Sequence, residues 1–285
     1  MSSPYSAIYA FGDSLSDAGN IFALSANQIP VSPPYVSGHF TNGPVWVQAL
    51  AADLGLPEVK SSLSGGTDFA YGSAETGPIP VHKAGPADLN AQLIQFEIQH
   101  RHASSTGLYT LSVGGNDVMD MAGSGTDINA DIAAAVSNQV NFISGLAKHG
   151  ARDFLVLLVP DLGKTPYAEA KGPTYAAQAS SVSLLFDLQT HNALTALAAA
   201  DHLNIGFVDA YTLLDQVVAD PQAFGFTNAT TPVWSGNLAD EHSGSLASST
   251  AAGQGQYVFF DDLHPTAAAH AKIAAVAMNS LPAVA

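Results

Sequence analysis

Short apolar runs of strand length alternate with longer runs of helical period along most of the chain, and this alternation restricts the fold more than any other feature. Residues 7–11 read as a first strand, ended by Gly12 and Asp13. Residues 44–54 place Trp46, Val47, Leu50 and Leu54 on one helical face. A second strand is expected at 67–71, a helix at 89–101 and a third strand at 108–113. The rhythm repeats with a helix at 128–148, a strand at 153–159, a helix at 175–201, a strand at 205–208 and a last helix at 266–281. Residues 219–256 are rich in Gly, Ser, Thr and Pro without a period and read as a long loop region. A parallel sheet with helices on both faces buries such a pattern. The 285 residues, 47% of them hydrophobic, suit one large α/β domain over 1–285.

In sheets of this kind, ligands bind beyond the carboxyl ends of the strands. Three expected strands end in small polar segments: Gly12-Asp13-Ser14, Gly72-Ser73 and Gly114-Gly115-Asn116. The fold brings their tips to one edge. Either Ser14 or Ser16 simply caps a helix, or Ser14 is a nucleophile, which requires a neighbouring base to take its proton. Of the ten histidines, His100, His191, His202 and His270 fall in expected helices. His264 stands apart in Asp261-Asp262-Leu263-His264-Pro265, just before the last helix. An aspartate three residues ahead can accept from the imidazole Nδ1, fixing the tautomer and stabilising the imidazolium. Pro265 keeps His264 in extended backbone. Capping by either aspartate and a metal site on the Asp-Asp-His cluster compete with this reading, but no His-x-x-x-His pattern accompanies it.

Acyl transfer also needs donors for an oxyanion. Asn116 offers a side-chain amide, and Ser14, Gly72 or Ser73 a backbone N–H; Gly114-Gly115-Asn116-Asp117 is equally good turn chemistry. The Gly-x-Ser-x-Gly elbow is absent around Ser14.

Charge and composition exclude other classes. A net charge of −16, from 8 Lys and Arg against 24 Asp and Glu, repels phosphate backbones and disfavours nucleic acid. The absence of cysteine removes disulfides, thiolate metal sites and a cysteine nucleophile. No apolar stretch reaches membrane-spanning length. Residues 1–5 lack a signal peptide's basic region and apolar run, which leaves a cytoplasmic protein or a removed leader.

Together the segments resemble the SGNH/GDSL hydrolase family, in its bacterial GDSL lipase/esterase branch. Residues 11–20, Phe-Gly-Asp-Ser-Leu-Ser-Asp-Ala-Gly-Asn, resemble the nucleophile block; 114–117 the block whose Asn completes the oxyanion hole; 261–266 the closing Asp-x-x-His block. Residues 67–74 resemble a segment that usually reads Asn-Phe-Ala-x-Gly-Gly-Ala, with Asp68 in place of Asn and Ser73 in place of the second Gly. Pro33-Pro34-Tyr35, residues 40–46 and residues 227–234 resemble the same branch, Val233 standing where a cysteine is common. The resemblance implies a three-layer α/β/α sandwich of flavodoxin-like order, with a mostly parallel five-stranded sheet and no cofactor. It implies Ser14 as nucleophile, His264 as base, Asp261 as its partner with Asp262 as second choice, and an oxyanion hole from Ser14, Gly72, Ser73 and Asn116. The expected substrate is a small-molecule or lipid carboxylic ester, with phospholipase, acyltransferase and choline-ester hydrolysis as alternatives, and a catalytically silent binding module as an alternative of another class. Members of the branch are commonly secreted or outer-membrane proteins, so a secreted or periplasmic location is expected. Tyr35, Phe40, Trp46 and Trp234 are candidates for an aromatic wall or for the core.

Overall fold

The computed structural model describes residues 3–283. The strands are β1 (Ala7–Gly12), β2 (Gly107–Ser112), β3 (Asp153–Leu157) and β4 (Asn204–Val208). Between and after them run helices α1 (Asn20–Leu24), α2 (Trp46–Asp53), α3 (Leu89–Gln99), α4 (Gly115–Met121), α5 (Ile128–His149), α6 (Pro166–Ala170), α7 (Pro173–Asp201), α8 (Ala210–Ala219), α9 (Ala251–Gln254) and α10 (Ala267–Asn279). All three strand pairings are parallel, in the order β1-β2-β3-β4, with Phe11 opposite Leu111, Leu111 opposite Val156 and Val156 opposite Phe207.

Successive side chains of a strand point to opposite faces, and the sequence uses both. Ile8 and Ala10 of β1, Leu108 of β2 and Leu155 and Leu157 of β3 pack under α2 and α10, against Trp46, Leu50, Ala274 and Ala277. Phe11, Tyr109, Leu111 and Phe154 face the other way, against Phe96 of α3, Phe142 and Ile143 of α5 and Leu194 of α7. Helices on both faces of a parallel sheet make a three-layer α/β/α sandwich of flavodoxin-like order. Ordinary local chemistry sets the helix ends. Asp127 caps α5 by accepting from the Asn129 and Ala130 amides, and Lys148 and His149 sit in its last turn, at the negative end of its dipole.

The expected fifth strand is a correction: four strands form among the described residues. Residues 67–71 do lie along the outer edge of β1, where Ala10 donates to the Thr67 carbonyl at 3.0 Å and the Phe69 and Tyr71 amides donate to Ala10 and Gly12. Against β1 they make one isolated bridge, Ala10 to Asp68, and no continuous ladder. The ladder stops because the Gly12 amide, which would donate to the Phe69 carbonyl, donates to Gln92 Oε1 at 2.8 Å instead. Five helices lie outside the periodic runs. One, α4, begins at Gly115, so residues 114–117 start a helix where a turn was a competing expectation. The others are α1, α6, α8 and α9; α8 reaches the start of the expected loop region at 219, and α9 lies within that region.

Candidate active site

β1 ends where it comes closest to β2. A Cβ on Gly12 would lie 1.8 Å from the Ser112 carbonyl oxygen, and the residue sits at φ +127°, so only glycine fits there. The chain then turns: the Asp13 amide donates to Ser112, and the Ser16 and Asp17 amides donate back to the Asp13 carbonyl. Ser14 rides on this turn, half-buried at the sheet's carboxyl edge.

His264 approaches from the far end of the chain. Its carbonyl accepts from the Phe260 amide, and Thr266 caps α10 by accepting from the Ala269 amide, so the segment between is held on both sides. His264 Nε2 lies 2.9 Å from Ser14 Oγ. Its Nδ1 lies 2.8 and 3.0 Å from the two Asp261 carboxylate oxygens. Asp261 Oδ1 also accepts the backbone amides of Leu263 and His264, and Oδ2 accepts the Tyr35 hydroxyl at 2.6 Å. Both oxygens are thus committed to donors of this chain. Asp262 is exposed; its carbonyl accepts from Tyr167, and the Nδ1 contact goes to Asp261.

The electrostatics follow from burial opposed by pairing. Burial alone would raise Asp261, but the His264 charge and hydrogen bonds, with the Tyr35 hydroxyl, carry it below the ordinary value. Burial alone would lower His264, but Asp261, then Asp13 and Asp262, raise it. Burial pushes Asp13 up to about 7, against the Leu15 amide and the nearby His264.

Of the expected oxyanion donors, Asn116 stands in the first turn of α4 and spends one amide hydrogen on the Ala74 carbonyl at 2.8 Å, leaving the other free. The Ser14 amide has no acceptor among the described residues. Gly72 and Ser73 differ. The Gly72 amide donates to the buried Asp17 carboxylate at 2.8 Å and is engaged. The Ser73 amide has no such acceptor, and Ser73 sits exposed at φ +63°. That left-handed backbone explains why glycine suits this position. A Cβ on Gly72 would lie 2.3 Å from the Phe40 ring, whose centroid is 5.3 Å from that of His264. Of the four aromatic candidates, Phe40 alone stacks on the histidine. Trp46 is buried with its Nε1 on Ser16, Trp234 packs with Val233 and Phe260, and Tyr35 holds Asp261.

A cleft leads away from Ser14, Asn116 and His264 across the carboxyl edge of the sheet. Its walls are apolar, among them Leu157, Val159, Leu214, Val217, Phe259 and Leu263. No helix of the described residues is long and apolar enough to cross a membrane.

The model of the GDSL-like lipase/acylhydrolase family matches residues 8–277. The chain belongs to that family. It is 28% identical over 282 residues to the thermolabile hemolysin of Vibrio parahaemolyticus, covering 96% of this chain and 63% of that protein. It is 29% identical over 250 residues to the phosphatidylcholine-sterol acyltransferase of Aeromonas hydrophila, covering 86% and 70%. The chain thus spans just under two thirds of the hemolysin's length. A GDSL lipase of Tanacetum cinerariifolium is 27% identical, over 91% of this chain and 80% of its own. Among solved structures, an alpha/beta hydrolase enzyme from the metagenome of Lake Arreo, Spain, superposes with a TM-score of 0.51 at 12% identity, over 98% of this chain and 96% of that one, a likeness of fold.

Proposed function

We propose that this chain is a serine hydrolase of carboxylic esters working through an acyl-enzyme on Ser14. The observation that carries this reading is the unbroken relay from Ser14 Oγ to His264 Nε2 at 2.9 Å and from His264 Nδ1 to Asp261 at 2.8 Å. Ser14 Oγ attacks the ester carbonyl as His264 takes its proton. Asp261 holds the ring in the tautomer that leaves Nε2 free to accept, and stabilises the imidazolium that results. The Ser14 and Ser73 amides and the free Asn116 amide hydrogen supply the donors for the oxyanion. Gly72 acts indirectly: tied to Asp17, it fixes the backbone from which Ser73 projects. His264 then protonates the leaving alcohol, and water repeats the cycle on the acyl-enzyme.

The apolar cleft suits the acyl portion of the substrate. It crosses the sheet from β1 to β4, three strand spacings or roughly 14 Å, enough for a medium-length fatty acyl chain. Similarity to a phosphatidylcholine-sterol acyltransferase favours lipid esters as substrates and makes an alcohol a second acceptor to test beside water. Ser14→Ala tests the reading against a chromogenic short-chain ester: the expected result is loss of hydrolysis with the fold retained, and more than a few per cent of residual activity contradicts it. A panel graded by acyl length and head group, run with the unaltered chain, then assigns the substrate.

A further inference from the structure

We propose that Glu75, His82 and Asp120 bind one divalent ion of the Zn²⁺ type, and that this ion would clip the loop carrying Ser73 to the helix carrying Asn116. These three residues lie outside the Ser14–His264–Asp261 relay, and each brings one ligand atom to within 4.8 Å of the other two. His82 Nδ1 is 2.9 Å from Glu75 Oε1 and 3.4 Å from Asp120 Oδ2. Tetrahedral ligation by nitrogen and carboxylate oxygen at about 2.0–2.2 Å separates neighbouring donors by roughly 3.4 Å. The His82–Asp120 spacing already has that value, and Glu75 needs a displacement of about half an ångström.

The ring's other nitrogen fixes its orientation. His82 Nε2 lies 3.0 Å from the Gly77 carbonyl, which can only accept, so Nε2 carries a hydrogen and Nδ1 is the nitrogen turned to the two carboxylates. A metal-bound histidine characteristically gives its second N–H to a backbone carbonyl in this way. The backbone is fixed as well: the Ile79 and His82 amides each donate to the other's carbonyl at 3.1 Å. Among the described residues, no Lys or Arg comes within ion-pair distance of Glu75, Asp117 or Asp120. One nitrogen and two carboxylate oxygens suit a borderline ion such as Zn²⁺ better than the all-oxygen shell preferred by Ca²⁺ or Mg²⁺. Asp120 is about half exposed, at 49%, so water can complete the shell.

The place gives the ion a task. Glu75 follows Ser73 by two residues, Asp120 lies one helical turn beyond Asn116, and Asn116 already donates to the Ala74 carbonyl between them. An ion here would reinforce that single hydrogen bond and hold the loop against α4.

Calorimetric titration of the chelator-stripped full chain with ZnCl₂, paired with melting curves with and without Zn²⁺, tests this. The expected result is one site of micromolar affinity, weakened at least about tenfold in Asp120→Asn and in His82→Asn, with a Zn²⁺-dependent rise in Tm that both variants lose. Asp120→Asn alters a half-exposed side chain and leaves the His82–Gly77 contact in place, so it tests the site without disturbing the loop. No saturable binding up to about 1 mM, an affinity too weak for a resident ion, overturns the proposal. So does unchanged affinity in both variants, which would assign the heat to other histidines.

Discussion

Tyr35 and Asp261 are 226 positions apart in the chain, yet the phenol hydroxyl of one donates to the carboxylate of the other at 2.6 Å, with both side chains buried. The bond fills the acceptor position that His264 and the backbone amides leave open on Oδ2. A hydrogen bond to a buried charge is typically worth about 1.5–3 kcal/mol. Tyr35→Phe keeps the ring against Phe260 and removes that bond. The expected outcome is a kcat lowered about tenfold on a short-chain ester with KM nearly unchanged. An unaltered kcat would show that Asp261 is positioned without Tyr35.

Among the proposed oxyanion donors, Asn116 lines the cleft beside Ser14 with one amide hydrogen on Ala74 and the other free. Asn116→Ala removes both the free amide hydrogen and the tie to Ala74, and turnover is expected to fall by about 10²–10³. Steady-state kinetics on the same ester checks this, and a near-wild-type rate removes Asn116 from the oxyanion hole.

Ser73 occupies a left-handed conformation that costs a residue with a Cβ about 1–2 kcal/mol, while glycine loses about 0.5–1 kcal/mol of that advantage to unfolded-chain entropy. Ser73→Gly keeps the amide and should raise Tm by about 1–3 °C with hydrolysis retained. A fall in Tm would show that the hydroxyl contributes something the backbone argument omits.

The pH dependence of rate follows from His264. Its pKa is raised, so the neutral ring needed for proton abstraction forms only above the ordinary histidine value of about 6.5. In a pH–rate profile, kcat/KM should climb with pH through an inflection above that value. An inflection below it would contradict the pairing with Asp261.

The pH dependence of stability has the opposite sign to the usual expectation for carboxylates. Burial raises Asp13 to about 7 and Asp117 to about 6, and raises Asp17 and Asp68 as well. The folded chain therefore holds more protons than the unfolded chain between about pH 4 and 7, and the linked stability is lost as pH rises through the folded values. His270 pulls the other way: burial pushes it down to about 3, so acid below about pH 6.5 favours its unfolded, charged form. The carboxyls outnumber it, and a formal charge of −16 adds repulsion at high pH. Tm is expected to be higher at pH 5 than at pH 8; the reverse order would contradict these burial effects.

The sheet and the three residues of the relay were legible because their signals are local. Short apolar runs of strand length mark β1 to β4, and Asp261 and His264 sit three residues apart on one turn beside a proline. Features that depend on distant partners were not. Tyr35 reads in sequence as one aromatic among several, since nothing near it marks an acceptor. Residues 67–71 have a strand's composition, but the distant Gln92 side chain takes the Gly12 amide and breaks the ladder. Nothing in Gly72-Ser73 tells which amide is free, because Asp17, which takes one of them, lies more than fifty residues earlier. The helix at Gly115 was hidden by Gly-Gly-Asn, which serves a turn and a helix start equally well.

Ser14 is the residue on which the proposed chemistry rests, and a covalent trap tests it most directly. An alkyl phosphonate ester should react with the folded chain to one equivalent, and peptide mass mapping should place the adduct on Ser14, with no adduct in Ser14→Ala. A folded chain that takes up no phosphonate, or carries it on another residue, would contradict Ser14 as the nucleophile.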